Sequence, residues 1–479
     1  MKIAFLNPQG NFDRANSYLT EHPDFGGQLV YVREVALALA DLGVDVDIVT
    51  RRIEDPDWRG FEAPIDRFDE HPERVRIVRL DCGPKGFLAK ESLWPHLEEM
   101  VDNLVTFYAG DLPDTVTTHY ADGGWMGVLL RRATGLGFSF TGHSLGAQKL
   151  ERLGVNRRTW PALDERYHFS RRIAAERAAM RHAGRIITST HAERHEQYAH
   201  ALYRGAVDPD DDARFEIVPP GINERIFHPE RAGDDTEFAE RLARRAGDDP
   251  RPVVLAASRL EVKKNVAGFV DAWLSDDALR RRARLALFVR GVDDPFAGPG
   301  QLREPERDVL EPILQRITAA GARDEVLFVN AGSQRQLATA YRFFAARGSV
   351  FVLPSLYEPF GLAPIEAAAC GLAVVATRYG GPSEVFDAET GVLVEPERPQ
   401  NLAAGMHEAL DRQPELAARA GEMVRERYTW SSTARGYLDV AEALAANPPA
   451  ADVGDGPLDA GERIAEWLVG SDGPGEDSA

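Results

Sequence analysis

Phe215-Glu216-Ile217-Val218-Pro219-Pro220-Gly221 stands near the middle of the chain, and its reading decides the fold. The apolar run is a short strand, and Pro-Pro-Gly is stiff punctuation behind it. Upstream, short β-branched runs alternate with long amphipathic stretches. Ile3–Leu6, Val44–Thr50, Val75–Leu80, Asp114–Thr118, Phe138–Thr141 and Arg185–Thr188 read as strands. Gln28–Leu42 reads as a helix, with Leu29, Val32, Val35, Ala36 and Leu39 on one face and Gly43 behind it. Downstream, a charged stretch from Arg231 to Arg251 weakens the periodicity, and the pattern then restarts. Val253–Ala257, Leu285–Arg290, Val326–Val329, Val350–Leu353, Ala373–Thr377 and Gly391–Val394 form the second series, and all but the last run into helical sequence. Two strand–helix series split near residue 222 predict an α/β protein of two facing Rossmann-like domains, 1–222 and 223–429, with a deep cleft between them. Ligands in such folds sit at the carboxyl ends of the strands. Trp430–Ala446 is expected to be a last helix packing back on the first domain. Residues 447–479 read as an acidic, partly disordered tail, in which Leu458–Leu468 has a short amphipathic pattern and Gly470–Ala479 has none.

The 479 residues carry 76 Asp+Glu against 56 Lys+Arg, for a formal charge of −20. A surface this acidic repels nucleic acid and anionic lipid, and argues against both as main partners. Of the basic residues only Lys2, Lys85, Lys90, Lys149, Lys263 and Lys264 are lysines. An acid-rich, lysine-poor surface fits solubility in high salt; a genome that favours arginine codons explains it equally well. Cys82 and Cys370 form neither a disulfide framework nor a zinc spacing, which suits a reducing compartment. The N-terminus reads as a buried strand rather than a signal peptide, and no apolar run reaches the roughly 18 residues of a membrane span. The expectation is a cytoplasmic protein.

Chemistry concentrates where strands end. Tyr357-Glu358-Pro359-Phe360-Gly361-Leu362-Ala363-Pro364-Ile365-Glu366 follows the strand Val350–Leu353 and opens an Ala-rich helix. Two carboxylates, Glu358 and Glu366, flank a strand-to-helix turn. The backbone N–H groups of Gly361 and Leu362 there suit a phosphate. A loop charge and a first-turn helix acid would read the same way. Ala257-Ser258-Arg259-Leu260-Glu261-Val262-Lys263-Lys264-Asn265 leaves the first strand of the second series, and Arg259 with Lys264 suits a diphosphate. A surface pair at a helix start is the alternative.

With these two segments side by side, the second half resembles the donor site of retaining, nucleotide-sugar-dependent glycosyltransferases of the GT-B fold. The first half narrows the resemblance to the sucrose-phosphate synthases. It rests on Asn7-Pro8-Gln9-Gly10-Asn11-Phe12, on His22-Pro23-Asp24-Phe25-Gly26-Gly27-Gln28-Leu29-Val30-Tyr31-Val32 and on Thr141-Gly142-His143-Ser144-Leu145-Gly146. Asp164-Glu165-Arg166, Arg171-Arg172-Ile173, Glu176-Arg177 and Gly380-Gly381-Pro382-Ser383-Glu384 fit the same pattern, over roughly residues 1–446.

That resemblance implies transfer of glucose from a nucleotide sugar, UDP-glucose favoured, to fructose 6-phosphate. Gly26 and Gly27 would let the backbone approach the substrates, with Gln28 beside the acceptor. His143 would contact the transferred sugar, Glu358 its 3- and 4-hydroxyls, and Glu366 the ribose. Arg259, Lys264, Gly361 and Leu362 would hold the diphosphate as it leaves. Lys90, Lys149, Arg171 and Arg172, with Ser144 as a neutral donor, would hold the acceptor's phosphate. No metal and no other cofactor is implied, and a separate sugar-phosphate phosphatase is expected in the pathway. Rivals are a mannosylfructose-phosphate synthase using GDP-mannose and a non-catalytic sugar-phosphate-binding protein.

Two further patterns read as structural. Asp45-Val46-Asp47 mimics a metal or phosphatase aspartate motif but lies within an ordinary strand. His191 and His195, with His200, Glu193 and Glu196, read as a hydrated helix face rather than a metal site. Trp94, Trp125 and Trp160 fit core and cleft positions equally well.

Overall fold

The computed structural model describes residues 1–14, 24–231, 235–298, 302–447 and 459–471. His22 and Pro23 of the N-terminal motif, and tail positions 448–458 and 472–479, lie outside them. The described chain divides into two compact units. One is Met1–Pro219 with the chain from Thr433 on, and the other is Pro220–Ser432.

The first unit holds an eight-stranded sheet: β1 (Lys2–Leu6), β2 (Asp45–Arg51), β3 (Ile65–Arg67), β4 (Val75–Leu80), β5 (Thr115–His119), β6 (Phe138–Thr141), β7 (Arg185–Thr188) and β8 (Phe215–Ile217). Their spatial order is β3-β4-β2-β1-β5-β6-β7-β8. All neighbours are parallel except β3, which runs antiparallel to β4 at the edge. β3 escapes a reading by periodicity because it has three residues, two of them charged.

The second unit has six strands: β9 (Val253–Ala256), β10 (Arg284–Phe288), β11 (Val326–Val329), β12 (Val350–Leu353), β13 (Ala373–Thr377) and β14 (Val392–Val394). They are ordered β11-β10-β9-β12-β13-β14, all parallel. Alternate residues of one strand enter different cores. Val254 and Ala256 join the helices Val266–Leu274 and Glu304–Ala319, while Val253 and Leu255 join the helices Gln334–Ala345 and Leu362–Ala369. Burial on both faces is why these strands read as continuous apolar runs.

In both sheets the chain builds outward to one side of its first strand and then crosses to the other. The reversal falls between β1 and β5 in the first unit and between β9 and β12 in the second. The crevice at such a reversal is where this fold takes ligands.

Three expectations need correction. The helix expected over Gln28–Leu42 spans Gly27–Asp41. Within the charged stretch 231–251 a helix runs Thr236–Ala246, capped by Asp235, and it buries only Phe238, Leu242 and Ala246, a stripe too thin to stand out in sequence. Gly470 and Ser471, expected to be disordered, end a helix, Gly461–Ser471. That helix places Ile464 and Leu468, with Ala460 before it, in the core of the first unit. Among the described residues no helix is long and apolar enough to cross a membrane.

Candidate active site

In the second unit the loops leaving β9 and β12 meet at the chain reversal. Ala257, Ser258, Arg259 and Lys264 from one loop, and Glu358, Gly361, Leu362 and Ala363 from the other, line a cavity of about 170 Å³. Leu356 N–H donates to the Lys263 carbonyl at 2.9 Å and ties the loops together. Lys264 Nζ donates to Glu358 Oε2 at 2.5 Å, and Ser355 Oγ donates to the same oxygen at 3.2 Å. Arg259 pairs with Glu261 at 2.8 Å, and Lys263 reaches that carboxylate at 3.0 Å. Burial alone would raise the Glu261 carboxyl, but the bond from Lys263 and the charge of Arg259 hold it below its ordinary range.

Glu358 is held by its backbone as well. Its N–H donates to Tyr379 O at 3.1 Å, and its carbonyl accepts from Gly381 N–H at 2.9 Å. Gly380, at φ +93°, passes so close that a Cβ there would lie 2.2 Å from that carbonyl oxygen. This is the structural reason for glycine at 380, and a Cβ on Gly381 would lie 2.5 Å from Phe360 Cα. Gly361, at φ +94°, precedes the helix Leu362–Ala369, whose first N–H groups have no acceptor within the helix. Glu366 lies one turn further on, half-buried, outside the lining of this cavity. Desolvation pushes its carboxyl up to about 7.

The first unit builds a second site around its own reversal. Gly26 precedes the helix Gly27–Asp41, and a Cβ on Gly27 would meet open space. Gln28 is fixed within a half-buried amide network. Its Oε1 accepts from Gln9 Nε2 at 2.5 Å and its Nε2 donates to Asn7 Oδ1 at 2.6 Å. His143 follows β6 in a left-handed backbone conformation, φ 56°. Its Nε2 lies 2.9 Å from His119 Nδ1 at the end of β5, and the Tyr31 ring meets it edge-on at 4.9 Å. Burial pushes the His143 imidazole down to about 4.

Three of the four candidate cations of this unit are engaged by protein groups. Lys90 Nζ donates to Asp24 Oδ1 at 2.9 Å. Arg172 Nε donates to Glu176 Oε1 at 2.9 Å, its Nη2 donates to the Ser144 carbonyl, and its guanidinium lies 4.5 Å from the Tyr120 ring centre. Lys149 Nζ sits 4.6 Å from the Tyr167 ring centre. Burial, then repulsion from Arg172 and Lys90, lowers the Lys149 ammonium, so three cations share one surrounding.

Arg172 is the most enclosed of these cations. It is buried against Glu176, whose carboxylate also accepts from Gly146 N–H at 2.9 and 3.0 Å, so it orders the Ser144–Gly146 turn. Arg171 faces solvent on the same helix, Phe169–His182, and Ser144 is also exposed. Sequence reading missed His119, Tyr31 and Tyr437 around His143, and Asp122 near the cations. Asp122 is buried, burial pushes its carboxyl up to about 7, and Arg172 and Lys90 pull the other way. The signal for His119 was a histidine at the carboxyl end of a threonine-rich strand, Thr115-Val116-Thr117-Thr118-His119.

The patterns read as structural have structural partners. Asp47 accepts from Arg76 at 2.6 and 2.7 Å and from the Tyr108 hydroxyl at 3.0 Å, while Asp45 pairs with Arg74. His200 Nε2 lies 3.0 Å from Glu151, and His195 Nδ1 lies 3.7 Å from Asp210. Trp125 belongs to the core of the first unit, and Trp94 and Trp160, half-buried, pack against that core.

Comparison with known proteins agrees with the two-unit plan. Residues 26–221 match the glycosyl transferase 4-like domain, and residues 239–427 match the glycosyl transferases group 1 domain. A Thermosipho melanesiensis protein named probable sucrose-phosphate synthase is 40% identical over 444 residues, 92% of this chain and 96% of that one. The sucrose-phosphate synthase of Spinacia oleracea is 31% identical over 84% of this chain, which spans only 43% of the spinach protein. The solved structure of a Thermosynechococcus elongatus sucrose-phosphate synthase superposes with a TM-score of 0.67 at 26% identity, covering 93% of this chain and 99% of that one. Fold and matched domains define a GT-B glycosyltransferase. Within that class the chain belongs to the sucrose-phosphate synthase family.

Proposed function

We propose that the protein transfers glucose from a nucleotide sugar, with UDP-glucose the favoured donor, to fructose 6-phosphate with retention of configuration, giving sucrose 6-phosphate. The observation that carries this reading is the Lys264–Glu358 pair beside Arg259 and the Gly361–Leu362 turn in one cavity. A departing nucleoside diphosphate needs concentrated positive charge and backbone donors, and a transferred hexose needs a fixed acceptor for its hydroxyls. Arg259, Lys264 and the first-turn N–H groups supply the former, Glu358 supplies the latter, and Glu366 accepts from the ribose. In the first unit His143, with Gly26, Gly27 and Gln28, meets the sugar and the acceptor. Lys90, Lys149, Arg171 and the Ser144 turn meet the acceptor's phosphate, with Arg172 shaping that turn.

The acceptor hydroxyl attacks from the face the diphosphate leaves and gives its proton to a phosphate oxygen. In this reading no metal is needed, because Arg259 and Lys264 already supply the charge. The product is a phosphate monoester, so a separate phosphomonoesterase must follow to release the free disaccharide. The relatives in Thermosipho melanesiensis, Spinacia oleracea and Thermosynechococcus elongatus are all named sucrose-phosphate synthases, which favours a glucose donor over GDP-mannose. A panel of UDP-, ADP- and GDP-glucose and GDP-mannose with fructose 6-phosphate, in the presence of EDTA, tests the proposal. Release of nucleoside diphosphate with sucrose 6-phosphate from a glucose donor is expected. Release from GDP-mannose alone, or none without added metal, overturns it.

A further inference from the structure

His119 and His143 close neighbouring parallel strands, with His119 paired in register with Thr141. Their rings stack at 23° with His119 Nδ1 and His143 Nε2 2.9 Å apart. Two non-glycine residues here adopt left-handed backbone, His143 at φ 56° and Tyr120, directly after His119, at φ 66°. Such conformations are strained for residues with a side chain and persist only where the surroundings over-determine them. Those surroundings are aromatic. Phe5 and Tyr437 lie 5.2 and 6.2 Å from His119, Tyr31 meets His143 edge-on, and Tyr31 shares a hydroxyl contact of 3.2 Å with Tyr437. Tyr31, Tyr437 and, behind them, Glu193 are the titratable groups on this side.

Proton counting then leaves two arrangements. Burial keeps both rings neutral, so each carries one proton, and the short N···N contact needs one proton between them. If His143 Nε2 held it, the proton of His119 would sit on its own Nε2. That atom is enclosed and has no hydrogen-bond partner among the described residues. A buried N–H without an acceptor is rare, because its lost hydration is not replaced. In the other arrangement His119 Nδ1–H donates, and the proton of His143 sits on Nδ1, the ring nitrogen left for a ligand.

We infer that His119 is a positioning residue that locks His143 in its Nδ1–H form, so that His143 meets its ligand as a hydrogen-bond donor. The ligand's identity rests on the proposed glucosyl transfer; the lock itself does not. A donor here suits an oxygen of the sugar or of its phosphate, and a ring so fixed has no free base to offer.

The test is a long-range ¹H–¹⁵N spectrum of the full chain without ligands, with the His143 signals assigned by their loss in His143→Gln. The expected pattern is a protonated Nδ1 and a bare Nε2 on His143; protonation at Nε2 overturns the inference. Two variants separate the lock from packing. His119→Asn keeps an N–H near the Nδ1 position and His119→Phe keeps only bulk. The asparagine variant is expected within about threefold of the parent kcat, and the phenylalanine variant about 10–100-fold below it with mixed His143 tautomers. Equal loss in both variants, or none in His119→Phe, overturns the lock. If the parent transfers no glucose at all, the transfer reading falls, and the tautomer spectrum still decides the lock.

Discussion

Arg259 and Arg172 both stand among the candidate phosphate ligands, yet the two units use them differently. Arg259 projects from the loop after β9 with three quarters of its side chain exposed, and its partner Glu261 is also bonded by Lys263. Arg172 is buried between Glu176, the Ser144 carbonyl and the Tyr120 ring. An exposed pair in water is worth about 0–1 kcal/mol and can be exchanged for a phosphate at small cost. A buried pair cannot be opened without stranding its carboxylate. Arg259 is therefore a replaceable contact and Arg172 is framework, while Lys264, paired with the equally enclosed Glu358, stands closer to Arg172. A list of basic residues in sequence order does not distinguish the two.

The largest expected effect probes this contrast directly. Arg172→Ala should cost about 3–5 kcal/mol in urea unfolding, because Glu176 loses its buried partner. Arg259→Ala should stay within about 0.5 kcal/mol of the parent. Equal losses would erase the distinction. Next in size, Lys264→Ala should lower kcat about 10²–10³-fold in nucleotide release, since leaving-group charge would go unanswered; unchanged turnover would end the donor-site assignment. Lys149→Ala should raise KM for fructose 6-phosphate about 10–100-fold with less effect on the donor. An equal loss with free fructose as acceptor would move Lys149 from the phosphate to the framework.

The smallest effect is one of pH. Glu366, held up near 7 by burial, is protonated below that value and ionised above it. The ionised carboxylate is the stronger acceptor for ribose hydroxyls, so donor KM should fall as pH rises from 6 to 8. About fivefold is expected, and Glu366→Gln should flatten the dependence. A slope that survives in Glu366→Gln would assign the titration elsewhere.

Much of the fold was legible because parallel strands buried on both faces must be apolar along their length. Val75–Leu80, Val326–Val329 and Val350–Leu353 are bounded in sequence as in space. β3 and the helix Thr236–Ala246 were not, since one is a short charged edge and the other buries a single thin stripe. Of the site, Lys264, Glu358 and Gly361 were legible because loops at strand ends carry chemistry in short, unbroken segments. The role of Gly380-Gly381 was not, because the contact with Glu358 crosses from one loop to another.

What the sequence alone determined is the two-series plan and the residue types at the strand ends, since periodicity and punctuation are local properties. Only the tertiary structure decided which cations are bound into the wall, which carboxylate holds Lys264, and that His119 stands against His143. Each of those is a contact between residues that are distant in the chain. Their energies depend on burial and on partners, and neither can be read from neighbours in sequence.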